Sequence, residues 1–164
     1  MKQITAVGPY AFAQTKITSV IIPSNVDFYP QANQLANTFN KCTSLTSVTF
    51  VDAVTKIPGA MFSGCVELNS VSIDKGNSQI SEIGAYAFSR CSALTSFTFP
   101  TGLKTIGEYA FVSSGLTSVD LGVVDTLDQY SFFGCKDLTE VKIVGTPGLK
   151  IDSTVFGTTS NYPA

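Results

Sequence analysis

The 164-residue chain contains no histidine, and this absence excludes several kinds of catalytic site. Without histidine there is no Ser-His-Asp or Cys-His nucleophile, no imidazole metal ligand and no imidazole base near neutral pH. The chain also lacks a glycine-rich phosphate loop between a strand and a helix. We therefore predict that it is not an enzyme and that it uses no cofactor and no metal.

Charged residues are scarce as well. They make up 13% of the chain, about half the usual ~25%, and the net charge is −2 with the basic residues scattered singly. Nucleic-acid-binding surfaces need clustered lysine and arginine. No apolar run approaches the roughly 18 residues that a membrane-spanning helix requires. These features argue against nucleic acid as a partner and against insertion into a membrane.

The residues that are present form a repeat with a period of 21 to 27 residues, a spacing typical of solenoid proteins. Each copy begins with a phenylalanine, and in most copies an aliphatic residue follows five or six positions later. Two further apolar residues then alternate as in a strand, as Phe97 and Phe99 do in the fourth copy. The anchoring residues are Phe12, Phe39, Phe62, Phe88, Phe111, Phe132 and Phe156.

This repeat predicts an α/β solenoid, a right-handed stack of short parallel strands with single helical or 3₁₀ turns on the convex side. A single coil cannot bury its own apolar residues, because it has no second layer. Stacking the coils about 4.8 Å apart gives each strand a parallel neighbour and each phenylalanine a phenylalanine above and below. We expect residues 1–164 to form one domain of about six and a half coils within a longer chain. The alternative is a small protein capped by its irregular ends.

The fourth copy also carries a family resemblance. Ile83-Gly84-Ala85-Tyr86-Ala87-Phe88, followed by Cys91, Leu94 and Pro100, resembles the BspA-like, or Treponema-type, leucine-rich repeat. The resemblance extends from about Ile4 to Phe156 and implies a leucine-rich-repeat fold. Proteins similar to this are surface or secreted proteins associated with adhesion to host matrix proteins and with aggregation between cells. The family has no shared catalytic residues, and this chain departs from it in showing no signal peptide and no anchoring region.

The four cysteines allow a zinc site, two disulfides or neither. Each lies three residues after an anchoring phenylalanine, so the four side chains should form a file along the solenoid. Zinc needs ligands that converge at about 2.3 Å. Neighbouring cysteines are close enough for a disulfide, but their side chains should run parallel. We predict buried free thiols that act as small apolar spacers. The four residues are Cys42, Cys65, Cys91 and Cys135.

The outward positions of the predicted strands form files of threonine and serine. One interpretation is a hydroxyl-rich concave face that binds a protein or a glycan. The other is strand-favouring threonine on a solvated face. Acidic and basic residues enter these files in the C-terminal half, which makes that half the better candidate. The predicted contact residues are Thr95, Ser96, Thr98, Thr117, Ser118, Asp120, Thr139, Glu140 and Lys142.

A second candidate is a tyrosine stripe formed by Tyr86, Tyr109 and Tyr130, each two residues before an anchoring phenylalanine. Two residues are about 200° of helical turn, so these rings should point away from the phenylalanine core. An aromatic stripe on the convex side suits a protein interface. Packing of ring on ring between coils is the simpler explanation.

Two irregular features have weaker functional interpretations. The joint between the first two copies, 24–36, should form a loop, and we expect Phe28 and Tyr29 to fold back over the open first coil. Asp120, Asp125 and Asp128 are close in sequence and could supply oxygen ligands to calcium. Their spacing fits no known calcium loop, so ordinary solvated turn residues are favoured.

These observations predict a non-catalytic binding module, an adhesin-type protein at the cell surface or secreted. Its partner would be a host or matrix protein, a neighbouring cell or a glycan, bound through the solenoid face. Two alternatives are a structural spacer within a longer surface protein and an intracellular protein-interaction scaffold. The adhesin hypothesis depends mainly on the family resemblance.

Overall fold

A computed structural model describes residues 5–24, 26–28, 35–51, 54–73 and 79–158 of the chain. We number the coils 1 to 7 by their anchoring phenylalanines. In several coils one strand follows the phenylalanine turn and a shorter strand precedes it. The strands after the turn are β2 (Ser19–Ile22), β4 (Ser47–Phe50), β6 (Ser70–Ile73), β9 (Ser118–Asp120) and β11 (Glu140–Lys142). The other strands are β1 (Ala6–Val7), β3 (Asp27–Phe28), β5 (Lys56–Ile57), β7 (Glu82–Ile83), β8 (Thr105–Ile106) and β10 (Thr126–Leu127).

Strands of successive coils pair in parallel, which confirms the predicted parallel solenoid. The order β2-β4-β6 forms one sheet and β9-β11 continues the same side of the molecule. The order β10-β8-β7-β5 forms a second side, and β1 pairs with β3. The registers place equivalent positions opposite each other, since Val48 of β4 lies between Val20 and Val71. Apolar residues at matching positions therefore meet inside the coil stack.

The predicted helical or 3₁₀ turns are not present, because no helix occurs in the described residues. The residues two before and two after the phenylalanine have left-handed backbones, with φ of 60° at Tyr86 and 59° at Arg90. A left-handed residue reverses the chain instead of continuing a right-handed helix. The segment therefore folds as successive β-turns, in which Ser89 N–H donates to the Tyr86 carbonyl at 3.1 Å and Cys91 N–H to Phe88 at 3.3 Å. The fold is accordingly a β-solenoid without the α component that we predicted.

The turns pair between coils as the strands do. In coil 4, the backbone N–H groups of Tyr86, Phe88 and Arg90 donate to carbonyls of coil 5 over 2.9, 2.8 and 2.8 Å. Equivalent bonds recur along the stack, for example from Phe62 N–H to the Ala87 carbonyl at 2.9 Å. This pairing satisfies backbone groups that a helix would have satisfied within one coil.

The anchoring phenylalanines form one continuous ring stack through the molecule. Successive ring centroids lie 5.2 to 5.5 Å apart and the ring planes are within 15° of parallel. Phe88 is 0% exposed, whereas Phe12 at the first coil is 39% exposed. Phe28 is half-buried on β3, which pairs in parallel with β1, and its ring lies 6.5 Å from that of Phe39 in coil 2. The prediction that Phe28 lies in a loop folded over the open first coil is therefore wrong, because Phe28 takes an inward strand position of coil 2. Tyr29 lies outside the described residues.

The four cysteines are free and buried, as predicted, but they are more than apolar spacers. Each thiol donates a hydrogen bond to the carbonyl of the anchoring phenylalanine in the preceding coil. The distances run from 3.0 Å for Cys42 to 3.3 Å for Cys91. The same carbonyl also accepts a backbone N–H of its own coil, for example Cys65 N–H to Phe62 at 3.1 Å. The thiols therefore fasten one coil to the next through hydrogen bonds. The four donor–acceptor pairs are Cys42–Phe12, Cys65–Phe39, Cys91–Phe62 and Cys135–Phe111.

The stack predicts unequal costs for removing its rings. Phe88→Ala leaves a cavity between two rings, so we expect a loss of about 3–5 kcal/mol in the free energy of unfolding. Phe12→Ala removes a ring that is partly solvated and has a single stacked neighbour, and we expect about 1–2 kcal/mol. Urea denaturation followed by circular dichroism measures both. Equal losses for the two variants would contradict the continuous stack.

The buried thiols predict alkaline sensitivity. Burial is the largest cause of a rise in the pKa of Cys65 from 9.0 to about 12, and the Cys42 thiol adds to it. Burial likewise raises the pKa of Cys91 and of Cys135. The folded state thus holds these protons more tightly than the unfolded state. Their contribution to stability is complete below pH 9 and decreases between about pH 9 and pH 12.

We expect the urea midpoint of the wild type to fall over this pH window more steeply than that of Cys65→Ala. Comparing the urea midpoints of one protein at different pH values removes the pH-independent destabilisation that Cys65→Ala causes by deleting a buried side chain. In the folded wild type, Cys65 should also resist a thiol reagent at neutral pH, because the reactive thiolate is suppressed. Parallel pH profiles in the two proteins would show that Cys65 carries no such linkage.

Candidate functional site

The sheet on the strand side is interrupted in coil 4. Residues 96–99 occupy the position of a strand between β6 and β9, yet they form no strand. A backbone bond from Thr117 N–H to the Thr95 carbonyl, 3.1 Å long, joins coils 4 and 5 just before this segment. Beyond it, no backbone hydrogen bond between described residues joins 96–99 to β6 or β9. Within the described part of the chain, these backbone donors and acceptors therefore have no partner in the neighbouring strands.

The interruption has a cause in the sequence. Coil 4 has Phe97 and Phe99 at the two inward positions, where coil 5 has Val119 and Leu121. Both rings pack edge-on against the central stack, and Phe97 lies 5.2 Å from Phe88 and 5.3 Å from Phe111. Two large rings in one coil need more room than valine and leucine. We attribute the missing strand pairing to this extra volume, since coil 4 is the one coil with phenylalanine at both positions.

A groove of about 390 Å³ opens beside this segment, between coils 4 and 5. Its apolar surface comes from rings and aliphatic groups, and its polar rim comes from hydroxyls and one carboxylate. Four of the predicted contact residues line it, namely Ser96, Thr98, Ser118 and Asp120. The other lining residues are Phe97, Phe99, Pro100, Thr101, Leu121 and Gly122.

An ion pair borders the groove. Lys142 Nζ lies 2.7 Å from Asp120 Oδ2, and the two residues face each other in register on β11 and β9. Asp120 Oδ1 also accepts the Gly122 N–H at 3.2 Å. The hydrogen bond from Lys142, followed by that from Gly122, lowers the pKa of Asp120, and the same contact raises the pKa of Lys142. Both side chains are well exposed, so the pair places charge at the surface and adds little stability.

The remaining predicted residues of this face are exposed, and two of them have their hydroxyls bound within the sheet. Thr117 Oγ1 donates to the Thr95 carbonyl and Thr139 Oγ1 to the Thr117 carbonyl, each at 3.2 Å. Thr46 does the same toward Thr18 at 3.0 Å in the N-terminal half. This threonine file therefore stabilises coil-to-coil contacts. Glu140 lies exposed on β11 without a close ion pair in the described residues.

The tyrosine stripe lies in the turns, apart from the groove. The ring centroids of Tyr86 and Tyr109 are 4.9 Å apart and those of Tyr109 and Tyr130 are 4.8 Å apart. Tyr109 thus has a stacked ring on each face, and Phe133 packs edge-on against Tyr130 at 5.5 Å. Lost hydration, and then the neighbouring phenols of Tyr130 and Tyr86, raise the pKa of Tyr109. Ring-on-ring packing between coils is what the structure shows at this stripe.

Sequence reasoning missed the apolar half of the groove. Phe97 and Phe99 were predicted only as apolar residues of a strand, Leu121 was not singled out, and the missing strand pairing beside them was not predicted. The available signal was coil 4 having phenylalanine at both inward positions, where the other coils have it at one or at neither. The calcium interpretation gains no support, since no three potential metal-ligating acids, cysteines or histidines cluster within the described residues. No helix of those residues could span a bilayer.

Residues 1–82 and 75–162 match the BspA type Leucine rich repeat region, in six copies. The chain belongs to this family. No curated protein matches it. Solved structures provide the remaining comparisons.

Three solved structures share the leucine-rich-repeat fold with this chain. A leucine-rich repeat protein from Bacteroides ovatus is 24% identical with a TM-score of 0.63, over 76% of this chain and 33% of that one. The leucine-rich repeat protein of T. pallidum is 24% identical with a TM-score of 0.60, over 85% and 74%. A leucine rich cell surface protein from Faecalibacterium prausnitzii is 22% identical with a TM-score of 0.58, over 86% and 43%. The chain thus spans about a third of the length of the Bacteroides protein.

The ion pair predicts a measurable coupling between coils 5 and 6. Replacing Lys142 with Met removes the hydrogen bond that is the largest cause of the low pKa of Asp120. We therefore expect the Asp120 pKa to rise in Lys142→Met, as read by NMR titration of the carboxyl carbon. Asp152, whose pKa is lowered by a hydrogen bond to Thr154, provides an internal control that should not change. An unchanged Asp120 titration would contradict the contact.

Proposed function

We propose that this BspA-type solenoid is a non-catalytic recognition segment that binds a protein through the strand face of coils 4 to 6. The observation that carries the proposal is the groove beside residues 96–99. Among the described residues, it is bordered by the one ion pair and by backbone groups that have no partner in the neighbouring strands. Proteins of this repeat family serve generally as interaction scaffolds, which supports a binding role over catalysis.

The composition of the groove suits a protein partner. Phe97, Phe99 and Leu121 supply an apolar floor, and Ser96, Thr98 and Ser118 supply hydroxyls at its rim. An apolar centre within a polar rim is the usual anatomy of a protein interface. Backbone groups of 96–99 that have no partner among the described residues add donors and acceptors for polar side chains of a partner that reach into the groove. A glycan is the alternative ligand for the same polar rim.

The proposed location is the cell surface or the exterior of the cell. The Faecalibacterium neighbour is itself named a cell surface protein, and the family resemblance points the same way. In this setting the chain would act as an adhesin-type segment toward a host or matrix protein, or toward a neighbouring cell. A structural spacer remains the competing role, and it requires no ligand on the strand face.

A pair of matched substitutions tests the proposal. Thr98→Arg places a long charged side chain at the rim of the groove, whereas Thr126→Arg places the same side chain on β10 of the other sheet. Both threonines are exposed, so we expect both variants to fold. Binding to a panel of immobilised matrix proteins and to intact host cells is measured by surface plasmon resonance and flow cytometry. We expect Thr98→Arg to weaken saturable binding at least about tenfold, roughly 1.4 kcal/mol, and Thr126→Arg to leave it unchanged.

The remaining outcomes discriminate between the alternatives. Binding that persists in Thr98→Arg, or falls equally in both variants, would exclude the groove as the binding site. Binding to cells that disappears after enzymatic removal of glycans would favour a glycan ligand. An absence of saturable binding to every matrix protein and cell would favour the spacer.

A further inference from the structure

The tyrosine stripe has a geometry with chemical consequences beyond packing. Tyr86, Tyr109 and Tyr130 are half-exposed, so their rings are accessible to reagents in solution. The ring planes are nearly parallel, with an angle of 17° between Tyr86 and Tyr109 and of 3° between Tyr109 and Tyr130. Each residue is fixed in the left-handed turn position, with φ between 56° and 60°, so the three rings leave the backbone in the same way. The stripe thus holds three phenols in contact at the surface.

We propose that Tyr109 is an oxidative cross-linking site, at which it couples to a stacked neighbour to form a dityrosine within one chain. The reaction requires a one-electron oxidant, such as a haem peroxidase supplied with hydrogen peroxide. Rings held 4.8 to 4.9 Å apart are already in contact, so the coupling needs local rotation of side chains and no diffusion of chains.

The coupling is a two-electron oxidation of two phenols. Each phenol loses its hydroxyl hydrogen as one proton and one electron. The two radicals join through a new carbon–carbon bond between ring carbons that adjoin the hydroxyls. The hydrogen on each joined carbon then moves to the phenolic oxygen, which restores both phenols. One hydrogen peroxide accepts the two electrons and two protons and leaves as two water molecules.

The two stacked pairs are not equivalent. Tyr130 is packed edge-on by Phe133 at 5.5 Å, which restricts the rotation that coupling requires. Tyr86 and Tyr109 already diverge by 17°, so we expect this pair to couple first. Their link joins coil 4 to coil 5, the coils between which backbone bonds are missing at residues 96–99. The link would therefore reinforce the solenoid beside its interruption.

Tyrosines outside the stripe have to be removed before the reaction can be assigned to it. Tyr10 occupies the same turn position with φ of 59° and is 60% exposed. The equivalent position of coil 2 holds Asn37, so Tyr10 has no tyrosine stacked on it from that coil. Of the six tyrosines, Tyr29 and Tyr162 lie outside the described residues. A parent with Tyr10, Tyr29 and Tyr162 changed to Phe retains the three stacked residues alone.

The experiment oxidises dilute parent protein with a haem peroxidase and hydrogen peroxide. We expect dityrosine fluorescence in the monomer band, a mass lower by two hydrogen atoms per link, and a joined peptide that contains residues 86 and 109. Tyr109→Phe should lose the monomer signal entirely. Tyr86→Phe should lose more of it than Tyr130→Phe. A higher urea midpoint of the cross-linked monomer would show that the link joins folded coils.

Two results would overturn the proposal. One is a parent without monomer dityrosine under conditions that couple free tyrosine. The other is a Tyr109→Phe variant that keeps the parent's signal. Circular dichroism of each variant before oxidation verifies that it is folded. The outcome is independent of ligand binding by the groove, because none of the three tyrosines lines it.

Discussion

Each interior anchoring phenylalanine is fixed at two points, and the rest of the molecule depends on this double attachment. Its ring lies between the rings of the coils before and after it, and its carbonyl accepts a backbone N–H from its own turn. Where the following coil has a cysteine, the thiol binds the same carbonyl. The ring stack gives apolar burial without a preferred register, whereas the thiol bonds and the backbone bonds between successive turns define where the next coil must lie. Together they let very short strands form a continuous structure.

The interruption in coil 4 shows how much variation this arrangement tolerates. Phe97 and Phe99 stay within reach of the ring stack, so their burial is retained at 8% and 9% exposure. The segment 96–99 instead lacks the hydrogen bonds that a strand at this position would form with β6 and β9. The turn bonds of the same coil are intact, from Phe88 N–H to Ala110 and from Arg90 N–H to Val112. A solenoid can therefore open a groove on one side while its other side stays paired.

Much of this architecture could be predicted from the sequence because the spacing of apolar residues determines what stacks on what. The phenylalanine file, the parallel strands and the free buried cysteines follow from that spacing alone. The turn conformation did not follow, since Ala-Phe steps are compatible with a helical turn and left-handed tyrosine or arginine is uncommon. Gly64 and Gly134, two residues after their phenylalanines, were the signal that a positive φ is needed there. Only part of the groove could be predicted. Its polar residues occupy outward positions that repeat from coil to coil. Its apolar floor depends on how coil 4 accommodates two large rings.

The gap in hydrogen bonding at residues 96–99 also has a mechanical consequence. Tension applied along the axis of a β-solenoid pulls directly on the bonds between coils and separates them one at a time. Coil 4 meets its neighbours through its turns and rings but without strand bonds on one side, so its resistance to that tension is the lowest of the interior coils described. Extension under load would begin there, between the three-strand and two-strand stacks, and would then have to break the β5-β7-β8-β10 sheet that still crosses coil 4.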